Sequence, residues 1–137
     1  MPHLSNYEVF GTKLVGTTVS TSIDKEISIY RYIKVRAPLY LWQYCRFENK
    51  FQSGIPDIIL FRGNEYWWIE CKLLKQKTLK TIQDSLTWQF GQLAFMVEAF
   101  KRKSKYILAV GQRPNKLTFY MGEYNGIENF PDFIRQL

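Results

Sequence analysis

Apolar side chains recur at helical spacing in the first third of the chain. They stand three or four positions apart, at Ile23, Ile27, Tyr30 and Ile33. This spacing places them on one face of a helix, so the pattern predicts an amphipathic helix over residues 24–35. Ser22 or Asp24 would cap its first turn, because a short side-chain oxygen accepts hydrogen bonds from the free amides there. The Ala37-Pro38 pair would end the helix.

Strand-forming residues dominate the next stretch. Residues 39–47 are rich in aromatic side chains and favour a strand. Residues 57–61 and 66–72 are two apolar runs separated by Arg62-Gly63-Asn64-Glu65. This four-residue loop contains glycine and asparagine, so an antiparallel hairpin is the natural connection between the two runs.

A second helix and two further strands are predicted beyond residue 85. Helical spacing favours a long helix over residues 86–103, with a stripe formed by Phe90, Leu93, Ala94 and Val97. Residues 106–110 and 117–121 favour strands on either side of a turn at residues 111–115. A short C-terminal helix is expected to run through Gln136, beginning at Asn129, Pro131 or Asp132.

The order of these elements predicts the fold class. Residues 1–21 are rich in Thr, Ser and Gly and are interpreted as an irregular N-terminal arm, with a short hairpin as the open alternative. The order α-β-β-β-α-β-β-α then favours a mixed sheet flanked by helices, an α/β or α+β domain. With 137 residues and 46% hydrophobic residues, the chain is expected to form one domain over 1–137, with its core in 24–110 and a C-terminal strand and helix in 111–137.

Charge and cysteine usage narrow the functional classes. The 19 Lys and Arg residues outnumber the 12 Asp and Glu residues, which gives a net charge of +7 and suits a polyanionic partner such as DNA. The two cysteines form no CxxC pair, and the chain carries no secretory signal or long apolar run, so a cytoplasmic location without a membrane is expected. His3 is the only histidine, which argues against a histidine-based site.

An aspartate and a Glu-x-Lys triplet stand at the ends of the two hairpin strands. Asp57 opens the first strand, and Glu70-Cys71-Lys72 closes the second. Because residues i and i+2 of a strand point to the same face, Glu70 and Lys72 are expected to point together. In an antiparallel hairpin Asp57 lies opposite the end of the returning strand. Two carboxylates and one ammonium should therefore converge at one end of the sheet.

Such a set of groups suits a hard divalent cation. Mg²⁺, with Mn²⁺ as a substitute, would be bound by Asp57, Glu70 and the backbone carbonyl of Cys71. Lys72 would position or help deprotonate the attacking water and offset charge in the transition state. The pattern thus predicts metal-dependent hydrolysis of a phosphodiester bond. The alternative interpretation is a turn-capping aspartate and a surface ion pair.

These residues resemble the PD-(D/E)xK nuclease superfamily. The segments SGIPDIIL and WIECK are similar to those of its VRR-NUC-like or phage-type Holliday junction resolvase-like branch, and the likeness covers roughly residues 24–110. The resemblance implies a restriction-endonuclease-like αβββαβ core. It also implies Mg²⁺-dependent endonucleolytic cleavage of DNA, often of branched or flapped DNA.

The resemblance also implies two supporting residues. Members carry a glutamine on the helix after the Glu-x-Lys strand, and Gln92 matches it best, with Gln89 as the alternative. Members also place a glutamate on the first helix, for which Glu26 is the candidate and Glu48 the competitor. The paired arginines that name the VRR branch are absent after the last core strand, where residues 108–111 read LAVG, so the subfamily and the substrate stay open.

Three functions remain possible from the sequence. The first is an endonuclease for branched DNA, which as a junction resolvase would be a homodimer because it makes two symmetric cuts. The second is a restriction-type or strand-trimming nuclease of the same fold, and the third is a non-catalytic nucleic-acid-binding domain. Contacts with the DNA backbone are expected from three lysines that follow the triplet, Lys75, Lys77 and Lys80.

Overall fold

The structure is a computed structural model, and it describes residues 8–9, 12–48, 54–74, 86–122 and 129–136. Seven strands form one mixed sheet in the order β1-β2-β7-β6-β5-β4-β3. In chain order they are β1 (Glu8–Val9), β2 (Thr12–Ser20), β3 (Gln43–Arg46), β4 (Ile58–Arg62), β5 (Glu65–Leu73), β6 (Tyr106–Gln112) and β7 (Lys116–Gly122). Among these described strands only β5 and β6 pair in parallel, and β1 is a two-residue extension at one edge of a six-stranded sheet.

The described residues form three α-helices beside the sheet. They are α1 (Glu26–Arg36), α2 (Gln92–Lys101) and α3 (Asp132–Arg135), and a 3₁₀ helix (Ala37–Tyr40) follows α1 directly. From α1 onward the elements follow the predicted order α-β-β-β-α-β-β-α, and the mixed α/β class is confirmed. In the described part of the chain no helix has the length and apolar character needed to cross a bilayer.

The irregular-arm prediction is wrong for residues 12–20. These residues form β2, which pairs with β7 from Leu14↔Gly122 to Ser20↔Lys116, while β1 and β2 form the short hairpin that was the alternative. Leu14 is fully buried, and the Thr18 and Thr118 hydroxyls hydrogen-bond at 2.9 Å across the pair. The partner strand lies about a hundred residues later, so the local sequence gave little sign of it.

The first helix begins and ends later than predicted. Its N-cap is Lys25, rather than Ser22 or Asp24. The Ser28 hydroxyl accepts hydrogen bonds from the backbone N–H groups of Asp24, at 3.1 Å, and Lys25, at 3.3 Å, so a residue inside the helix satisfies these donors. Pro38 lies in the first turn of the 3₁₀ helix, where its missing N–H removes no hydrogen bond. Because this 3₁₀ helix extends to Tyr40, the strand predicted over 39–47 is shorter and is limited to β3.

The hairpin of β4 and β5 is tighter than predicted. Arg62 and Glu65 pair as the last residues of the two strands, so the connecting loop is Gly63-Asn64 rather than four residues. Gly63 has φ of 59°, a left-handed conformation that glycine adopts without steric strain. The register that follows sets Ile58 opposite Ile69 and so places the start of β4 beside the end of β5.

The second helix is shorter than the predicted span of 86–103. It begins at Gln92, because Gly91 has φ of 82° and cannot continue a helix toward the N-terminus. Phe90, expected on the buried stripe, lies outside α2 and is 88% exposed. The described residues before α2 form a bend and a turn that place Trp88 against β5.

The sheet is covered by an apolar layer on each face. One layer contains α1, the 3₁₀ helix and α3 and includes the largest buried cluster, with Trp67, Ile69 and Cys71 from β5. The other layer contains α2 and includes Met96 and Phe100. Strand β5 therefore lies between two packed layers, and its odd-numbered and even-numbered residues enter different ones.

Candidate active site

Side chains alternate along β5, so the two charged residues of the Glu-x-Lys triplet and the apolar residues at odd-numbered positions lie on opposite faces of the sheet. Trp67, Ile69 and Cys71 belong to the α1 layer. Glu70 and Lys72 point to the α2 side, where both contact the side chain of Gln92. Glu70 is 1% exposed and Lys72 is 8% exposed, so a carboxylate and an ammonium lie together in the interior rather than as a surface ion pair.

Asp57 lies at the same end of the sheet. Its carboxylate oxygen Oδ2 accepts a hydrogen bond from the backbone N–H of Cys71 at 3.1 Å. The Asp57 carbonyl accepts one from the N–H of Phe47 at 2.8 Å, which fixes the backbone just before β4. Asp57 thus contacts the peptide that links Glu70 to Lys72, as the hairpin argument predicted.

The backbone of Cys71 is oriented toward Asp57. In a strand the N–H and C=O groups of one residue project to the same side, and the Cys71 N–H is directed at the Asp57 carboxylate. Its carbonyl oxygen therefore faces the edge of β5 next to the start of β4. The thiol of Cys71 enters the α1 layer, where burial raises its pKa, and the charges of Asp57, Glu70 and Glu26 raise it further. A protonated thiol offers no thiolate, so the backbone is the part of Cys71 available to the site.

Gln92 connects the two halves of the Glu-x-Lys triplet. Its Oε1 accepts a hydrogen bond from Lys72 Nζ and another, at 2.9 Å, from the backbone N–H of Gln89. Its Nε2 donates to Glu70 Oε1 at 3.3 Å. The orientation of the amide is thereby determined, with its oxygen toward the ammonium and its nitrogen toward the carboxylate. Of the two candidate glutamines, Gln92 places its side chain in the site, while the side chain of Gln89 is exposed.

Glu26 lies on the Asp57 side of the site. It begins α1, and one turn later the Tyr30 hydroxyl donates a hydrogen bond to Glu26 Oε1 at 3.4 Å. The Asp57 side chain is within hydrogen-bonding reach of the same hydroxyl, whose single proton the two carboxylates share. Burial raises the pKa of Tyr30, and nearby Cys71, Asp57 and Glu26 raise it further, so the phenol keeps its proton. Glu48 is exposed beyond β3, on the wall of a groove that Tyr30 also lines.

Three aromatic residues of the site were not predicted. The helical spacing predicts Tyr30 on the apolar stripe of α1, and the sequence gives no separate signal for its hydroxyl. Trp88 falls within the helix predicted over 86–103, yet its ring centroid lies 5.0 Å from Lys72 Nζ. Tyr106 is fully buried, and its pKa is raised well above its usual value, first by burial and then by Glu70 and Asp57. A buried phenol close to two carboxylates could be found only from the three-dimensional packing.

The oxygen groups fit a magnesium ion better than a transition metal. Within the described ranges no cluster of three or more His, Cys, Asp and Glu side chains could hold a metal. Asp57, Glu70 and the Cys71 carbonyl supply oxygen alone. Mg²⁺ prefers oxygen and keeps several of its waters, so one or two carboxylates are its usual protein ligands. Lys75, Lys77 and Lys80, predicted to contact DNA, lie outside the described residues.

Comparison with protein-family models, with curated proteins and with solved structures found no match. The assignment of a function therefore depends on the chemistry of the site itself.

Proposed function

We propose that the protein is a Mg²⁺-dependent DNA endonuclease of the PD-(D/E)xK kind. The observation that carries this proposal is the hydrogen bond from the Cys71 N–H to the Asp57 carboxylate. It brings the separate aspartate to the Glu-x-Lys triplet, and the sequence motif becomes one cluster. A turn-capping aspartate and a solvated ion pair would not require Glu70 and Lys72 to be buried.

The order of elements supports a restriction-endonuclease-like core. Helix α1, strands β3, β4 and β5, helix α2 and strand β6 follow each other as αβββαβ. The motif residues stand where that core would need them, with Asp57 just before β4, Glu70 and Lys72 late in β5, and Gln92 at the start of α2.

The proposed ligands of the metal are Asp57, Glu70 and the carbonyl of Cys71. When bound, Mg²⁺ or Mn²⁺ supplies Lewis-acid polarisation of the scissile phosphate and lowers the pKa of a bound water. Glu26 would support this side of the site, since Tyr30 links it to Asp57.

Lys72 and Gln92 complete the proposed chemistry. The ammonium of Lys72 has three N–H donors, and one of them is used by Gln92 Oε1. The positive charge of this ammonium would hold the attacking water and stabilise the negative charge that grows on the phosphate oxygens. Gln92 would position Lys72 and Glu70 relative to each other, because its amide binds Lys72 at one end and Glu70 at the other.

A cleavage assay on a panel of DNA substrates tests the proposal. Linear duplex, single-stranded, flapped and four-way DNA would be incubated with purified protein and Mg²⁺, with Mn²⁺, and with chelator. We expect cleavage with either metal, none with chelator, and recovery when excess Mg²⁺ is added. An Asp57→Asn variant purified in parallel controls for contaminating nucleases. No cleavage of any substrate with either metal would overturn the proposal.

Branched DNA is the substrate class that the proposal favours. Resolution of a four-way junction takes two symmetric cuts, so this form of the function requires a homodimer. Light scattering of the complex with junction DNA should then give the mass of two chains. A monomer on the junction, or equal rates on linear duplex, would instead favour a restriction-type or strand-trimming nuclease.

A further inference from the structure

A groove of about 270 Å³ lies between α1 and β3 and shares Tyr30 with the candidate active site. Its polar and aromatic wall is formed by Tyr30, Arg31, Lys34, Tyr44, Arg46 and Glu48. None of these residues belongs to the Asp57, Glu70 and Lys72 cluster.

Regular structure, rather than a flexible loop, gathers the cations of this groove. Arg31 and Lys34 are three positions apart on α1, so they share one face of the helix. Arg46 is the last residue of β3, and its side chain is directed toward α1, because its guanidinium lies over the Tyr30 ring at 3.9 Å from the centroid. This stacking fixes the charge of Arg46 at the inner side of the groove.

Positive charge exceeds negative charge on the described wall of the groove. Arg31, Lys34 and Arg46 face a single carboxylate, Glu48, and all four side chains are exposed. Among the described residues none of the three cations forms a salt bridge. Other exposed cations do form them, as Arg102 does with Glu98 at 3.1 Å. Three cations that form no salt bridge within the described ranges, gathered on one concave surface, attract an anionic ligand.

The groove leads to the Asp57 side of the site. Tyr30 lines the groove, donates a hydrogen bond to Glu26 and is within hydrogen-bonding reach of Asp57. Tyr44, on the opposite wall, is close enough to the site that its pKa rises to about 12, first through burial and then through Cys71 and, less, Asp57. An anion in the groove would therefore lie next to Tyr30, on the other side of which lies the Asp57 carboxylate.

We propose that this groove binds the phosphodiester backbone of DNA next to the scissile phosphate, through Arg31, Lys34 and Arg46. The proposal rests on the proposed function. A nucleic-acid strand carries one phosphate per 3.4 Å of rise, so the groove would hold phosphates adjacent to the one at Asp57. Backbone binding of this kind is independent of sequence and positions the strand for cleavage.

The test compares two double variants with the same loss of charge. Arg31→Gln with Lys34→Gln removes two groove cations, and Lys13→Gln with Lys101→Gln removes two exposed lysines elsewhere. Strand β3 forms one edge of the sheet, and Lys13 lies on β2, which is next to the other edge. Lys101 is the last residue of α2. Affinity for four-way DNA would be measured by fluorescence anisotropy with chelator present, so that no cleavage occurs, over a range of salt concentrations.

Salt dependence distinguishes phosphate contacts from general charge. Each phosphate contact contributes about 0.7–0.9 to the slope of log affinity against log salt. We expect the groove variant to bind more weakly and to lose about 1.4–1.8 from this slope, while the control variant keeps the parent slope. An unchanged slope in the groove variant, an equal loss in the control, or no binding of DNA by the parent would overturn the groove proposal.

The cleavage assay separates this result from the proposed function. If the groove variant has a smaller salt slope but the parent does not cleave DNA in Mg²⁺, the groove proposal stands and the nuclease proposal is rejected. If the parent cleaves DNA but the groove variant keeps the parent salt slope, the nuclease proposal stands and the groove proposal is rejected. Thermal unfolding of both variants checks that the exposed substitutions leave the fold intact.

Discussion

The two faces of β5 differ in chemistry although both are buried. Ile69 is fully buried and Glu70 is 1% exposed, yet one lies in an apolar layer and the other beside Lys72 and Gln92. Removing a carboxylate and an ammonium from water costs several kcal/mol per ion unless bonds inside the protein compensate. Apolar residues would stabilise the α2 face at least as well. Packing therefore explains the apolar face, whereas the polar face has the burial that the proposed chemistry would require.

The faces also differ in how their residues are held. On the α1 side, contact between apolar side chains fixes Ile69 within a large cluster. On the α2 side, directed hydrogen bonds from one amide fix Glu70 and Lys72. A substitution on the first side should change mainly stability, and one on the second side mainly activity.

The largest effect on stability is expected at Ile69. Ile69→Ala should lower the free energy of unfolding by about 2–5 kcal/mol, because a cavity opens between β5 and α1. Ile69→Val is the matched smaller change and should cost about 0.5–1.5 kcal/mol. Urea unfolding measures both. The cleavage rate per folded molecule should stay near that of the parent, and its loss in fully folded protein would contradict the separation of the two faces.

A smaller effect, on activity alone, is expected at Gln92. Gln92→Ala should lower the cleavage rate about 10–100-fold, the usual range when a residue that orients a metal ligand is removed. The Mg²⁺ concentration for half-maximal rate should rise, since Glu70 loses its partner. Gln89→Ala is the control, because Gln89 contributes a backbone N–H that alanine keeps. An equal loss of cleavage rate in both variants would contradict a specific role of the Gln92 side chain.

The smallest effect concerns the two thiols. Cys45 is exposed, whereas Cys71 is buried with a raised pKa. An aromatic disulfide reagent should modify one thiol per native chain, and both only after unfolding. Because the raised pKa keeps Cys71 protonated, an increase of pH to about 8.5 should not expose a second reactive thiol. Cys45→Ser should remove the rapid reaction, and a second rapid thiol in native protein would place Cys71 at the surface.

Local patterns in the sequence were sufficient to predict the relative positions of the site residues on the hairpin. Alternation along β5 predicted the common face of Glu70 and Lys72, and the antiparallel turn predicted the approach of Asp57. These relations depend on neighbouring strands joined by a short loop. The chemistry assigned to the cluster stays a prediction until cleavage is measured.

Features that depend on distant contacts were not predictable in the same way. β2 finds its partner in β7 about a hundred residues later, and its Thr-rich sequence resembled a loop. The position of Trp88 depends on the left-handed backbone of Gly91, which starts α2 late. Tyr30 had a helical position typical of a core residue. Its contacts with Glu26 and Asp57 became apparent only when α1 was packed on the sheet.

The most direct test of the central claim is the single-turnover rate of DNA cleavage in Mg²⁺ by Glu70→Gln beside Glu65→Gln. Both substitutions remove one carboxylate from β5, but Glu65 is exposed and pairs with Arg62, far from Asp57 along the strand. We predict a fall of at least about 10²-fold for Glu70→Gln and a rate close to the parent for Glu65→Gln. The cleavage rates of Asp57→Asn and Lys72→Met should fall to a similar extent as that of Glu70→Gln. Parent-like cleavage by all three site variants, in folded protein, would contradict the assignment of the active site.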